Sequence, residues 1–235
     1  MSRTHEPGWR WREISAGIGA SLSAGLGLFP LGIAFGLLVS QSGLPLWVGP
    51  ALSIFGYAGS LELLLVGLMV VATPLATIAL TTLLVNFRHV FYAFSFPLGA
   101  IRNPLARTYA MYALTDETFA ITATRDDTWT SPRIIALQAS LQAYWVGGGL
   151  VGLLIGSLLP APIEGLDFAL CALFITLTLD AARKWDQVPS LLLAAVSFAV
   201  ALIVVPEQAL FAAMVLFLLL LAVRYALTQR KGKHA

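Results

Sequence analysis

Charge is what this sequence has least of. Asp, Glu, Lys and Arg together make up 11% of its 235 residues, while hydrophobic side chains make up 58%. A soluble domain carries about 25% charged residues, so this composition places the chain in a membrane, and no nucleic-acid partner is expected. Cysteine is nearly absent: the single Cys171 lies in an apolar run, which excludes an intrachain disulfide framework and any Cys-clustered metal site. His5 and His234 lie in opposite polar tails, and His89 alone cannot build a metal site. The sequence lacks HExxH, GxSxG and GxxxxGK(S/T) patterns, so neither an enzyme nor a bound cofactor is expected. Residues 1–13 contain Arg3, Arg10 and Arg12 but no short apolar core with a cleavage site, and no removable signal peptide is expected.

What is present is a succession of apolar runs, at 14–39, 47–71, 75–98, 108–124, 134–159, 166–182, 188–205 and 208–227. Runs of about 18 or more apolar residues are candidate spanning helices. The fold expected is an all-α, polytopic membrane helix bundle of seven to eight spans with discontinuous helices, one integral-membrane domain over 1–235 with tails at 1–13 and 228–235. The fourth run contains Thr115, Asp116, Glu117 and Thr118, and hydropathy alone would discard it. Lys and Arg collect in cytoplasmic loops, which argues for keeping it. With eight crossings, Arg3, Arg10, Arg12, Arg125, Arg133, Arg183, Lys184, Arg230, Lys231 and Lys233 fall inside, and only Arg102 and Arg107 outside. Both termini are then cytoplasmic; a re-entrant fourth segment is the rival.

Helix-breaking residues recur. "SAGLGLFPLGIAFG" carries Gly25, Gly27, Pro30, Gly32 and Gly36, and an internal proline removes a donor and clashes with the preceding turn. The first helix is therefore expected to be kinked or broken at Phe29-Pro30, with half-helix ends lining a cavity. In "VGGGLVGLLIGS" the regular spacing of Gly148, Gly152 and Gly156 is read instead as close helix packing. The six tryptophans, Trp9, Trp11, Trp47, Trp129, Trp145 and Trp185, mostly fall near run ends, as interfacial belts do.

Five places carry polar groups within or at the ends of the apolar runs: Glu62; Asn86, Arg88 and His89; Thr115, Asp116 and Glu117; Asp167; and Asp180. A charge in hydrocarbon costs at least about 2.5–3.5 kcal/mol on insertion scales, so these groups should face a protein interior or a wet cavity. On a helix Asn86 and His89 share a face and Arg88 points elsewhere, so Arg88 is expected to pair with Asp116 or Glu117 of a neighbouring helix. His89 reads as either a structural histidine or a proton-coupling imidazole, and Glu62 is either part of a transport path or a helix-to-helix hydrogen bond. Asp167 and Asp180 read as capping or interfacial groups, Asp180 within reach of Arg183.

"FPLGIAFG" at 29–36, "YAGSLEL" at 57–63, "LVNFRHVFYAFS" at 84–95, "LTDETFAI" at 114–121 and "GLDFALCALF" at 165–174 together resemble the AzlC family, the large subunit of bacterial branched-chain amino acid exporters. The resemblance implies a two-component secondary transporter of the inner membrane, working with a small AzlD-type membrane subunit on leucine, isoleucine and valine, with methionine in some members. Carried over by position, the family's polar blocks fall on Asn86, Arg88 and His89 and on Thr115, Asp116 and Glu117. Glu62 stands where many relatives have glutamine, and Cys171 where many have proline. A zwitterion needs donors for its carboxylate and acceptors for its ammonium. The candidates are Phe29, Pro30, Gly32, Asn86, His89 and Thr115 around substrate, Glu62, Asp116 or Glu117 for the ammonium, and Glu62, Arg88, His89, Asp116 and Glu117 as a charge network coupled to protons. An exporter of another small solute, or a non-transporting assembly subunit, fits the same residues.

Overall fold

The computed structural model describes residues 8–124, 129–160, 175 and 188–232. Among the described residues every regular element is a helix. α1 is Trp9–Gln41; α2, Val48–Ala51, runs directly into a π-helical turn, Leu52–Gly56; α3 is Gly59–Val70, α4 Leu75–Asn86 and α5 His89–Tyr92. α6 is Pro104–Tyr112, α7 Asp116–Thr124, α8 Ser131–Leu158, α9 Val188–Val204 and α10 Ala209–Gly232. The anticipated sixth span, with Asp167, Cys171, Asp180, Arg183 and Lys184, lies outside the described residues.

Among the described residues, Trp9–Gln41, Leu75–Tyr92 and Ser131–Leu158 are each long and apolar enough to cross a bilayer; α3, α9 and Ala209–Tyr225 are shorter apolar helices. The chain is thus an all-α membrane helix bundle. Its described residues pack as two compact units, Met1–Thr73 with Val85–Pro162, and Pro74–Leu84 with Ile163–Ala235. In the second, α9 and α10 pair through Ala201, Ala209 and Ala213 near their connection. At the far end Arg224 donates to Ser190 Oγ at 2.7 Å, which makes the pair antiparallel.

The first unit is built on α1 and α8. At 100° per residue, Gly17, Gly25, Gly32 and Gly36 fall within an arc of about 100° on α1, whereas Gly27 and Pro30 point away from it. That arc lies against α8. A Cβ added at Gly32 would come 2.6 Å from the Trp145 carbonyl oxygen, and one at Gly36 would come 2.6 Å from Leu153 N. Seen from α8, a Cβ at Gly148 would strike the Phe29 carbonyl, and one at Gly152 the Ile33 carbonyl. Here the expectation of a broken first helix is corrected: α1 is one continuous α-helix with Pro30 inside it. Its glycines are the counterpart of the α8 glycines, and Pro30 sits on the exposed side, where its ring does not disturb the packed seam. There is no helix end at Phe29, Pro30 and Gly32 to hold a carboxylate.

Discontinuity does occur, at three other places: between the π turn and α3, between α4 and α5, and between α6 and α7. The third run, anticipated as one helix over 75–98, stops at Asn86 and again at Tyr92. The fourth run divides into two nine-residue helices. At 1.5 Å per residue each is about 14 Å long, well short of the roughly 30 Å of a hydrocarbon core.

The seam makes a direct prediction. Gly152→Leu forces a side chain into the α1 backbone and is expected to destabilise the purified protein by about 1–3 kcal/mol, seen as a lowered melting temperature in detergent. Gly27→Leu meets open space and should melt as the unaltered chain does.

Candidate functional site

Each of the three interruptions leaves backbone groups without helical partners, and in each a side chain takes one of them. Tyr57 N–H closes the π turn on Leu52 O at 3.0 Å, and Ala58 N–H then turns to Glu62 Oε1, also at 3.0 Å. Glu62 is 1% exposed. Besides Ala58 it accepts from Ser53 Oγ at 2.7 Å and from the Trp145 indole N–H, at 3.1 Å to one carboxylate oxygen and 3.0 Å to the other. One carboxylate therefore joins the π turn, α3 and α8. Gly59 makes room for this: a Cβ there would stand 2.9 Å from the Trp145 ring. Trp145 in turn stacks on Phe35 of α1, centroids 5.7 Å apart. It is 3% exposed in the middle of α8, so it is a buried donor and not a belt residue.

The second interruption explains the "NFRH" cluster. His89 Nδ1 donates to the Asn86 carbonyl oxygen at 3.0 Å, taking the acceptor that Val90 N–H would use in a continuing helix. Val90 N–H bonds Phe87 O instead, at 3.1 Å. Asn86 and His89 are thus brought together through the backbone, and the Asn86 Oδ1 is buried without a hydrogen-bond partner. At the third interruption Gln138 of α8, fully buried, donates through Nε2 to Ala110 O at 2.9 Å. Thr115 caps α7, its Oγ1 accepting the Thr118 N–H at 3.4 Å. That leaves Asp116 and Glu117 in the first turn of α7, where negative charge is favoured by the helix dipole.

Side chains also tie the interruptions to one another. Arg88 pairs with Asp116 Oδ2 at 2.8 Å and reaches Ser60 Oγ, in the first turn of α3, at 3.4 Å. The expected partnership of Arg88 with the α7 acids is present, on Asp116. Asp116 Oδ1 accepts from the Tyr92 hydroxyl at 2.7 Å, and the Tyr92 ring stacks on Phe119 with centroids 4.2 Å apart. Tyr112 donates its hydroxyl to the Ile54 carbonyl in the π turn and accepts from Gln142 Nε2 at 3.2 Å, while Tyr109 donates to Gln142 Oε1 at 2.9 Å. All these groups belong to the first unit. Among the described residues no three His, Cys, Asp or Glu side chains come together to hold a metal ion.

Of the residues singled out from sequence, Glu62, Asn86, Arg88, His89, Thr115, Asp116 and Glu117 all stand at these interruptions. Phe29, Pro30 and Gly32 do not; they belong to the α1–α8 seam. Ser53, Ser60, Tyr92, Tyr109, Tyr112, Gln138, Gln142 and Trp145 were missed as members of the network. Gln138, Gln142 and Trp145 recur at three- to four-residue spacing on α8, the spacing of a polar helix stripe, which is the one signal that could have found them. The tyrosines carry no pattern separable from ordinary apolar content.

The Glu62–Trp145 joint can be tested by itself. Trp145→Phe keeps the ring and deletes one donor, and is expected to lower stability by about 1–3 kcal/mol. With Glu62→Ala in a double-mutant cycle of melting temperatures, the two losses should be clearly less than additive; full additivity would mean that the joint carries no coupling.

With this arrangement in view, sequence comparison gives it a family. The AzlC family model, described as AzlC protein, matches residues 23–159, a span that contains the C-terminal part of α1, all of α8 and the three interruptions. A protein of Helicobacter pylori (strain ATCC 700392 / 26695) named "Uncharacterized membrane protein" is 32% identical over 168 residues, 70% of this chain and 73% of its own. The Bacillus subtilis (strain 168) "Branched-chain amino acid transport protein AzlC" is 27% identical over 74% of this chain and 70% of its own. The Escherichia coli (strain K12) "Inner membrane protein YgaZ" is 28% identical over 78% and 79%. No solved structure matches the chain. A family match over more than half of the sequence, joined to a relative at 32% identity across most of both chains, makes this protein a member of the AzlC family.

Proposed function

We propose that this chain is the large subunit of a two-component exporter of branched-chain amino acids, a proton-coupled secondary transporter of the bacterial inner membrane. It works with a small AzlD-type membrane subunit, and both of its termini are cytoplasmic. One observation carries the reading. In a chain otherwise apolar enough to dissolve in lipid, three helices are interrupted and their ends are cross-linked by charged and hydroxyl side chains, Arg88, Asp116, Ser60, Tyr92 and Tyr112. Irregular backbone at membrane depth is tolerated where it is buried in protein or lines a water-filled cavity, and interrupted helices are the recurrent material of transporter binding sites. The Bacillus subtilis relative, named as a branched-chain amino acid transport protein, supports the substrate class. The Escherichia coli relative, named as an inner membrane protein, supports the location.

Within this reading the roles divide. Glu62, enclosed by its donors, holds the joint. Arg88, Asp116 and His89, with Glu117 beside them, are the groups that solute and protons meet, near Asn86 and Thr115. The closure of Glu62 upon internal partners also suits a second reading, in which the chain is a membrane assembly subunit and its buried charges serve only to hold the complex together.

Efflux separates the two. Cells fed leucine, isoleucine, valine or methionine dipeptides and expressing this chain with its small subunit should release the free amino acid at least several-fold faster than cells expressing either alone. His89→Ala should abolish that release at matched complex abundance; loss of abundance with unchanged flux per complex would support the assembly role. Arg88→Asp alone should inactivate export, and combining it with Asp116→Arg should recover part of it. Failure of the swap, with both chains present at wild-type level, would remove the pair from the transport path.

A further inference from the structure

Tyr57 is a polar side chain that the network above does not use. It is 6% exposed, and its hydroxyl has no hydrogen-bond partner. It stands at the interruption before α3 with φ of 40°, a left-handed conformation that a bulky side chain keeps only where its surroundings hold it. Its ring leans on Tyr112 with centroids 5.9 Å apart, and Tyr112 lies 6.2 Å from Tyr109. Glu117, Tyr109, Tyr112 and Glu62 are all within electrostatic range of the Tyr57 phenol. The Tyr109 and Tyr112 hydroxyls are engaged with Gln142, and Glu62 with its own donors. Glu117 is different: among the described residues it makes neither a hydrogen bond nor an ion pair. An unpartnered phenol therefore shares its surroundings with an unpartnered carboxylate and two electron-rich rings.

A phenol oxygen can donate or accept, so the charge around it decides what it binds. Of the two carboxylates in the first turn of α7, the Arg88 guanidinium pairs with Asp116, which leaves the formal charge of Glu117 unbalanced. Arg88 is already held by Asp116 and Ser60 and offers an anion little. We propose that Tyr57 and Glu117, flanked by the rings of Tyr109 and Tyr112, form a subsite for the primary ammonium group of the solute. The Tyr57 oxygen accepts one ammonium N–H and the Glu117 carboxylate another, and the tyrosine faces complete the cation's surroundings. The inference rests on the transport reading for its solute, an apolar amino acid, and assigns the end of the molecule by which it is recognised.

The test uses the purified complex of this chain with its small subunit, and three probes: leucine, 3-methylbutylamine, which keeps the ammonium and lacks the carboxylate, and 4-methylpentanoate, which has the reverse. Calorimetric titration should give binding of leucine and of the amine but not of the acid. Tyr57→Phe and Glu117→Gln should each weaken both by roughly tenfold or more, with the melting temperature of the unliganded complex unchanged. Should Tyr57→Phe fail to assemble, the partly exposed Glu117 carries the test. Binding of the acid as tightly as leucine, wild-type affinity in the variants, or no binding of either amine overturns the subsite. Leucine efflux with unaltered binding in both variants would leave the transport reading standing without the subsite. Amine binding lost in both variants, from a complex that exports no amino acid, would keep the subsite and remove the transport reading.

Discussion

A backbone N–H or C=O that is removed from water must find a partner inside the protein, and an unbroken helix is the simplest way to provide one. This chain gives up that solution at three places in its first unit and supplies side chains instead. Glu62 takes the Ala58 N–H, Tyr112 the Ile54 carbonyl, His89 the Asn86 carbonyl, and Gln138 the Ala110 carbonyl. The polar residues of the apolar runs are thus of two kinds. Some restore what a broken helix loses, and others, Arg88 and Asp116 foremost, link one break to the next.

Such joints hold only if their donors are fixed, and the seam between α1 and α8 fixes them. Glycines on both helices let the two backbones approach until no Cβ could be added at Gly32, Gly36, Gly148 or Gly152 without displacing backbone. Close contact of this kind replaces the hydrophobic drive that helices lack in lipid. Trp145 rides on the seam, its ring against Phe35 and its indole N–H on Glu62, so rigidity passes from the seam into the interrupted segments. A buried carboxylate with every donor supplied by protein is a costly group to disturb. Glu62 is therefore a fixed point, whereas the Arg88–Asp116 pair is partly exposed.

The proposed transport path follows from this division of labour. A rigid two-helix support carries short helix ends at which Arg88 pairs with Asp116 and leaves Glu117 unbalanced, and Tyr57 and Glu117, two of the groups without a partner there, are an acceptor and an anion. An amino acid presents an ammonium to such a place more readily than a carboxylate. The Bacillus subtilis relative is named as a branched-chain amino acid transport protein, the solute class on which this proposal rests.

Much of this was legible in the residue order, for physical reasons. Apolar run length and scarcity of charge alone determined that the chain is a membrane helix bundle, because hydrocarbon admits little else. The cost of a charge in lipid likewise marks Glu62, Arg88, His89, Asp116 and Glu117 in the sequence alone, and the helical offset of Arg88 from His89 points it toward an acidic neighbour. Where the helices break could not be read the same way. Pro30 and its glycines look like a break locally, yet α1 runs through them because the glycines face α8 and the proline does not. "NFRH" looks like a polar patch on a helix, yet His89 ends that helix by taking its carbonyl. Gln138 and Gln142 show locally no more than the spacing of a polar stripe, and Tyr109 and Tyr112 show nothing, since what they satisfy lies 28 to 58 residues away in the chain. Composition and periodicity are local sums, and they determined the medium and the elements; which orphaned backbone group meets which side chain is a matter of distance in space, and only the tertiary structure decided it.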